Sequence, residues 1–212
     1  MPMVKDGWVY GLAFGAAALF SGLLLEPWSA VPLAAAGVFC LYFFRDPDRV
    51  IPQGPVCVSP ADGKVVQVRE EVDGRTRVSI FLSIFDVHVN RAPVAGRVRS
   101  VQYTPGGFRM AHMDAASMEN ERNTLVIEER RSGLTLETKQ IAGLIARRIV
   151  CRKKAGDSLE KGERFGLIKF GSRVDIVLGP EWGLAVKPGD RVAGGSSVIA
   201  SLNQGGGDAG PT

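Results

Sequence analysis

The chain has 212 residues, with 26 Lys and Arg against 22 Asp and Glu, a net charge of +4, and three cysteines. That length holds one ordinary domain plus an appendage. The modest basic excess suits an anionic membrane surface, an anionic substrate or nucleic acid and does not choose among them. Cys40, Cys57 and Cys151 are widely spaced and form no CxxC pair, which argues against a disulfide scaffold or a thiolate zinc site and fits a reducing compartment. With His88 and His112 the only histidines, no metal centre is expected.

Charge is distributed unevenly. Before residue 45 the only charged side chains are Lys5, Asp6 and Glu26. Residues 8–25 and 28–44 are apolar runs separated by Glu26-Pro27, each close to the roughly 20 residues that span a bilayer, with Trp and Tyr near their ends. Two such runs predict a helical hairpin that returns the chain to its starting side. Lys5 lies at one mouth and Arg45 and Arg49 at the other, which puts both on the cytoplasmic face. A secretory signal ending at Ala34-Ala35-Ala36 fits less well, because the apolar stretch continues to Phe44 and Lys5 is the sole basic residue ahead of it. A hairpin lying in the interface is the other reading. Either one holds the rest of the chain at a membrane, so residues 1–44 are expected to form an anchor and residues 45–212 a second domain.

From residue 45 onward short alternating runs bounded by Gly, Pro and Asp predict strands over residues 65–68, 77–82, 87–90, 124–127, 134–138 and 167–177. Turn signals stand at Ala61-Asp62-Gly63, Val72-Asp73-Gly74 and Lys187-Pro188-Gly189-Asp190. Only residues 110–118 look helical, and His112 within them reads as an ordinary loop or helix residue. Residues 203–212 are Gly-rich and polar and read as a disordered tail. The expected fold is therefore mainly β, a sandwich or barrel-sandwich-like domain behind a hydrophobic helical hairpin. The stretch Val186-Lys187-Pro188-Gly189-Asp190-Arg191-Val192-Ala193-Gly194-Gly195 resembles the V-x-x-G-D-x-V-x-x-G hairpin of barrel-sandwich carriers. Lys187 precedes a proline at the start of that hairpin instead of sitting at its tip, so the likeness concerns fold and not a carried group.

Three positions stand out for chemistry. Period two along residues 168–176 puts Ile168, Phe170, Ser172, Val174 and Ile176 on one face, and Lys169, Gly171, Arg173 and Asp175 on the other. Ser172 interrupts the apolar face and Gly171 weakens the strand before it. One reading is a bulge with a hydroxyl bonded to nearby backbone. The other is a peptide bond set up for rearrangement, in which glycine lets the Ser172 hydroxyl reach the Gly171 carbonyl. An ester would replace the amide, and β-elimination followed by hydrolysis would leave a pyruvoyl group and ammonia. A serine hydroxyl needs a base for such an attack. His88, on a strand face with Asp86 and Asn90, is a candidate base or a surface histidine. Asp62 is placed to orient an imidazole as the third member of a triad does, or is a turn residue before Gly63. Gly194-Gly195-Ser196-Ser197 looks superficially like a second Gly-Ser site, but small residues have an ordinary turn role there.

These segments together resemble the phosphatidylserine decarboxylase family in its short bacterial form. The matching pieces are Tyr42-Phe43-Phe44-Arg45-Asp46-Pro47, Ser59-Pro60-Ala61-Asp62-Gly63, Phe85-Asp86-Val87-His88-Val89-Asn90-Arg91-Ala92-Pro93, Asn120-Glu121-Arg122 and Phe170-Gly171-Ser172-Arg173. They occur in the family's order across most of residues 42–178. The resemblance implies that Gly171–Ser172 is the self-cleavage bond, dividing the chain into a large subunit of residues 1–171 and a small one of residues 172–212. Ser172 would become the pyruvoyl cofactor, with Asp62 and His88 as the acid and histidine of the processing triad. Long-form members carry Leu-Gly-Ser-Thr where this chain has Phe-Gly-Ser-Arg. They also have a second histidine that aligns with Arg91, so His88 is left to serve both processing and turnover.

The resemblance further implies decarboxylation of phosphatidylserine to phosphatidylethanolamine through a Schiff base on the pyruvoyl group, with His88 returning a proton to the α-carbon. Its implied partners are the phospholipid, the membrane and the two subunits of one precursor, with a homodimer as a further assembly and no nucleic acid. The implied location is the cytoplasmic face of the inner membrane. Arg147, Arg148, Arg152, Lys153 and Lys154 face lipid phosphates on this reading, or form a solvated loop. A membrane-tethered adaptor without chemistry would keep the hairpin and the Gly-Asp turn and give Ser172 and His88 no role. A hydrolase with Ser172 as an ordinary nucleophile lacks a G-x-S-x-G context.

Overall fold

The structure is a computed structural model that describes residues 3–107, 120–143, 148–169 and 172–203. The expected helix at 110–118 and residues 204–212 of the expected tail lie outside these. The chain divides into two units, one running up to Asp48 and including Phe85–Val87, the other comprising Arg49–Ile84 and the chain from His88 onward.

The first unit is a helical pair. Helix α1 spans Lys5–Leu24, a 3-10 turn covers Pro27–Ser29, and helix α2 spans Ala30–Phe43. Glycines let the helices approach closely. A Cβ on Gly7 would come within 2.7 Å of Phe44 Cβ, and one on Gly11 would collide with the Leu41 side chain. Phe44 stacks on Tyr10 at 5.6 Å and meets Phe43 edge-on at 5.0 Å. Arg45 closes the end of the pair, with its guanidinium 3.8 Å from the Tyr42 ring centre and Nη2 donating to the Phe85 carbonyl at 2.6 Å. The outward side stays apolar: Leu12, Phe20, Leu24 and Trp28 are 63–83% exposed, more contiguous greasy surface than a soluble face normally carries. At 20 residues α1 is long and apolar enough to cross a membrane, whereas the second apolar helix, Pro27–Phe43, is shorter.

The second unit is mainly β, as expected. Among the described residues its strands are β1 (Val56–Val58), β2 (Gly63–Glu70), β3 (Thr76–Leu82), β4 (Val89–Arg91), β5 (Gly96–Thr104), β6 (Arg122–Glu129) and β7 (Thr135–Ala142). They continue as β8 (Arg148–Cys151), β9 (Ser158–Leu159), β10 (Arg164–Lys169), β11 (Ser172–Leu178), β12 (Trp182–Leu184), β13 (Arg191–Val192) and β14 (Val198–Leu202). The largest sheet has eight strands in the order β13-β2-β3-β11-β7-β6-β5-β9, and two three-stranded sheets have the orders β4-β10-β8 and β1-β14-β12. Alternation on the large sheet turns Val78, Ile80, Leu125, Ile127, Leu136 and Ile176 inward, where they meet Cys57, Phe165 and Ile199 from the small sheets in one core.

The strands expected at 65–68, 77–82, 124–127 and 134–138 fall in β2, β3, β6 and β7, with Leu134 just ahead of β7. The one expected at 87–90 is displaced to Val89–Arg91, and Val87 belongs to the helical unit. The single strand expected over 167–177 is two strands in different sheets. β10 ends at Lys169 between β4 and β8, and β11 starts at Ser172 between β3 and β7. Period two ran across the junction because both strands are buried on both faces, so alternation carried no sign of the change of sheet. Nor is the face with Arg173 and Asp175 a polar exterior. Arg173 is 1% exposed and Asp175 fully buried, and Arg173 Nε donates to Asp175 Oδ1 at 2.6 Å while Nη2 donates to Ser79 Oγ at 2.6 Å. A guanidinium can be buried there because its charge and donors are matched on the same face of the sheet.

Candidate active site

Ser172 opens the central strand of the large sheet, in register with Leu82 on one side and Ala142 on the other. It is fully buried, and its Oγ has no hydrogen-bond partner among the described residues. A buried hydroxyl left without a partner costs about 1–3 kcal/mol, so this is a strained place for a serine that stays a serine. A bulge with a backbone-bonded hydroxyl, one of the two readings of this position, is not what the described residues show.

His88 stands immediately before β4. Its carbonyl accepts from the Ile168 amide at 3.3 Å, extending the β4–β10 pairing by one step. The residue is 2% exposed, and its Nε2 is buried, so it is not a surface strand histidine.

Asp62 ends a tight turn in which Ser59 Oγ donates to the Ala61 carbonyl at 2.6 Å. Gly63 follows with φ +147°, where a Cβ would collide with the Phe81 carbonyl oxygen; glycine is therefore required at this step. Arg49 Nη2 donates to both Asp62 oxygens, at 2.9 and 2.8 Å, and the Gly194 amide donates to Oδ1 at 2.7 Å. Among the described residues Asp62 makes no hydrogen bond to His88. Arg49 was read as an anchor-flanking charge, and its pairing with Asp62 has no signal in the sequence.

One small cluster ties these positions together. Ala61, Leu82, Ile168 and Val174 are fully buried against one another. Ala61 is next to Asp62, Leu82 pairs with Ser172, the Ile168 amide bonds His88, and Val174 lies two residues from Ser172 on the same face. The three candidate residues thus each neighbour a member of that buried cluster, one in a turn, one at a strand entry and one at a strand start. Arg91 is 5% exposed and donates from Nη1 to the Gly162 carbonyl at 3.2 Å.

A second polar feature was not anticipated. Asn123 Nδ2 donates to Gln140 Oε1 at 3.0 Å, and Gln140 Nε2 donates to Asn90 Oδ1 at 2.8 Å. These amides point into the core from β6, β7 and β4. The available signal was the alternation of Leu136, Thr138, Gln140 and Ala142, which puts Gln140 on the apolar face.

Elsewhere, Gly195 has φ +81° and Ser196 bonds through its amide to the Ala193 carbonyl at 3.1 Å, an ordinary turn. Lys153 pairs with Glu163 at 2.6 Å. Arg148 opens β8, and Arg147 lies outside the described residues.

A pyruvoyl group at position 172 fits these surroundings. The hydroxyl that would leave in forming it gives up no side-chain hydrogen bond among the described residues, and the position is fully buried.

The family profile described as phosphatidylserine decarboxylase matches residues 36–200. A phosphatidylserine decarboxylase proenzyme of Solibacter usitatus (strain Ellin6076) is 55% identical over 200 residues, covering 94% of this chain and 97% of that protein. Proteins of the same name from Cupriavidus pinatubonensis (strain JMP 134 / LMG 1197) and Syntrophus aciditrophicus (strain SB) are 42% and 41% identical, covering 95% and 94% of this chain and 96% and 97% of theirs. With the profile spanning most of the β unit and relatives aligned almost end to end, the chain belongs to the phosphatidylserine decarboxylase family.

Proposed function

We propose that the chain cuts its own Gly171–Ser172 bond, converts Ser172 to a pyruvoyl group and decarboxylates phosphatidylserine to phosphatidylethanolamine at the cytoplasmic face of the inner membrane. The observation that carries this reading is the buried, partnerless Ser172 hydroxyl at the point where the chain passes from one sheet to another.

In processing, Ser172 Oγ adds to the Gly171 carbonyl carbon and gives its proton to His88, acting as the base a serine nucleophile needs. The C–N bond then breaks and the nitrogen takes a proton, leaving an ester. Loss of the Ser172 Cα proton expels the Gly171 carboxylate and leaves dehydroalanine at the new N-terminus. One water converts that to the pyruvoyl group with release of ammonia. In turnover, the pyruvoyl group supplies an electrophilic carbonyl for the substrate amine and an electron sink for the bond broken in decarboxylation. His88 holds the proton that is delivered to the substrate α-carbon. Arg49 and the Gly194 amide fix Asp62, and the Asp62 turn packs through Ala61 against the cluster under Ser172. Helix α1, about 30 Å long at 1.5 Å per residue, matches a bilayer's hydrocarbon core. It would tether the chain to the membrane that contains its diacyl substrate.

The testing experiment compares Ser172→Ala with Ser196→Ala in full-length protein supplied with phosphatidylserine vesicles. Ser172→Ala should remain one chain and release no carbon dioxide, and Ser196→Ala should cleave and turn over normally. A cleaved, active Ser172→Ala protein would disprove the assignment.

A further inference from the structure

Beside the turn that joins β6 to β7 lies a cavity of about 480 Å³, within the size range of small-molecule sites. Arg130 and Arg131 stand in that turn, whereas Ser172 pairs with Ala142 at the far end of β7. From Thr135 to Ala142 the strand covers about 20 Å at roughly 3.3 Å per residue. The cavity therefore takes no part in the chemistry at Ser172.

Part of its lining is apolar. The Leu202 amide donates to the Pro55 carbonyl at 3.0 Å, and Leu202 pairs with Trp182 across β14 and β12. Val56 and Val94 add to this surface. The rest includes five charged side chains, Glu129, Arg130, Arg131, Glu160 and Lys161. Arg130 and Glu160 are matched to each other, Nη2 donating to Oε1 at 2.6 Å. Glu129 is engaged by its own turn, its Oε2 accepting from the Arg131 amide at 2.9 Å, the Ser132 amide at 2.7 Å and the Ser132 hydroxyl at 2.8 Å.

Two cations are left over. Lys161 Nζ donates to a neutral group, the Gly54 carbonyl at 2.9 Å, and neither Lys161 nor Arg131 has an ion pair among the described residues. Burial, and then the like charge of Arg131, hold the Lys161 ammonium below its usual range. A half-buried ammonium near a guanidinium, with no carboxylate bound to either, is an unfavourable arrangement that an anion relieves. Trp182, 6% exposed, brings a further lining donor, since its Nε1 is buried without a hydrogen-bond partner among the described residues. The lining is thus short of acceptors. A phosphate ester suits it better than a carboxylate, because its three terminal oxygens can serve an ammonium and a guanidinium fork arriving from separate turns.

We propose that this cavity binds an organic phosphate, with Lys161 and Arg131 on the phosphate oxygens and the carbon skeleton against Val56, Leu202 and Trp182. A soluble phosphate monoester and the headgroup of a phosphatidic acid share that chemistry. The site stands whether or not the Gly171–Ser172 bond is cut.

The test uses full-length protein in a neutral detergent, with Trp8 and Trp28, the chain's other tryptophans, changed to phenylalanine so that all tryptophan emission comes from Trp182. Glycerol 3-phosphate should change that emission saturably and raise Tm, over a sodium chloride baseline of equal ionic strength. Inorganic phosphate, which lacks the carbon skeleton, should bind more weakly. Lys161→Gln, which keeps a donor for the Gly54 carbonyl, and Arg131→Gln should each weaken binding about 10–100-fold, the effect of one hydrogen bond to a charged group. Arg131 is exposed, so Arg131→Gln keeps the test decisive should Lys161→Gln fail to fold. Dihexanoyl phosphatidic acid separates the two sources. Tighter binding than glycerol 3-phosphate, lost in the same variants, assigns the site to a lipid headgroup, and weaker binding assigns it to a soluble ester. No saturable change with any of the three probes, or folded Lys161→Gln and Arg131→Gln proteins that titrate like the parent, overturns the proposal.

Discussion

Arg49 offers a sharp test of how Asp62 is held, because a single nitrogen makes both bonds. Nη2 donates to Oδ1 at 2.9 Å and Oδ2 at 2.8 Å, while Nε is buried without a partner. Arg49→Met removes both bonds and leaves Asp62 with the Gly194 amide alone. Hydrogen bonds to a charged group contribute about 1.5–3 kcal/mol each. The two share one donor atom, and the side chains are 15% and 17% exposed, so a loss of about 2–4 kcal/mol is the reasonable expectation. In a chain of this size each kcal/mol lowers Tm by roughly 2–4 °C, so the melting point of the uncleaved Ser172→Ala protein should drop by about 4–16 °C when Arg49→Met is added. Arg49→Lys should behave differently. An ammonium supplies one nitrogen that can contact both oxygens, and the substitution also removes the orphaned Nε, so more than half of the lost stability should return. Ordinarily lysine is a poor replacement at a carboxylate fork. The measurement is thermal unfolding by tryptophan fluorescence in detergent, alongside the cleavage rate with Ser172 restored. If Arg49→Lys is as damaging as Arg49→Met, or if Arg49→Met melts unchanged, the one-nitrogen geometry is refuted.

His88→Ala should slow cleavage by about 10²–10⁴-fold, the usual contribution of a general base, and its cleaved fraction should turn over poorly. Normal turnover per pyruvoyl group in that fraction would confine His88 to processing. Asp62→Asn should impair cleavage more than turnover, as assayed on separated cut and uncut protein. The two fragments should co-elute in native size exclusion and part only on denaturation. β11 is paired on both sides by β3 and β7, and β14 by β1 and β12, so release must open two sheets; a freely eluting small fragment would contradict that topology. Burial pushes the Cys57 thiol well above its ordinary range, with Lys161 pulling it back only in part. It should therefore resist aromatic disulfide reagents at pH 8 until the chain unfolds, while half-buried Cys151 reacts first.

Much of the fold was legible from alternation and turn chemistry. Runs such as 77–82 and 124–127 are flanked by turn residues and carry one apolar face, so both their type and their inward side followed from period two. The break between Lys169 and Ser172 was hidden for a physical reason. Alternation reports a polar–apolar contrast between faces, and both strands are buried on both faces. Ser172, His88 and Asp62 were picked out by pattern and resemblance, yet their environments depend on partners distant in sequence. Arg49 meets Asp62 only because the turn at Ser59–Asp62 folds back, and the Gly194 amide arrives from a hairpin 132 residues away. The Asn123–Gln140–Asn90 run joins three strands. Strand periodicity places each residue on a face but does not say which strand lies opposite, and so that run could not be assembled beforehand.

The claim that Gly171–Ser172 is cut and Ser172 converted is tested most directly by intact mass of the purified full-length protein under denaturing conditions. Two species should appear, one corresponding to residues 1–171 with an ordinary C-terminal carboxyl. The other should correspond to residues 172–212 with a mass reporting a pyruvoyl group in place of the N-terminal serine, and should be refractory to N-terminal sequencing. A single full-length species that decarboxylates phosphatidylserine, or a small fragment that begins with unmodified serine, would contradict it.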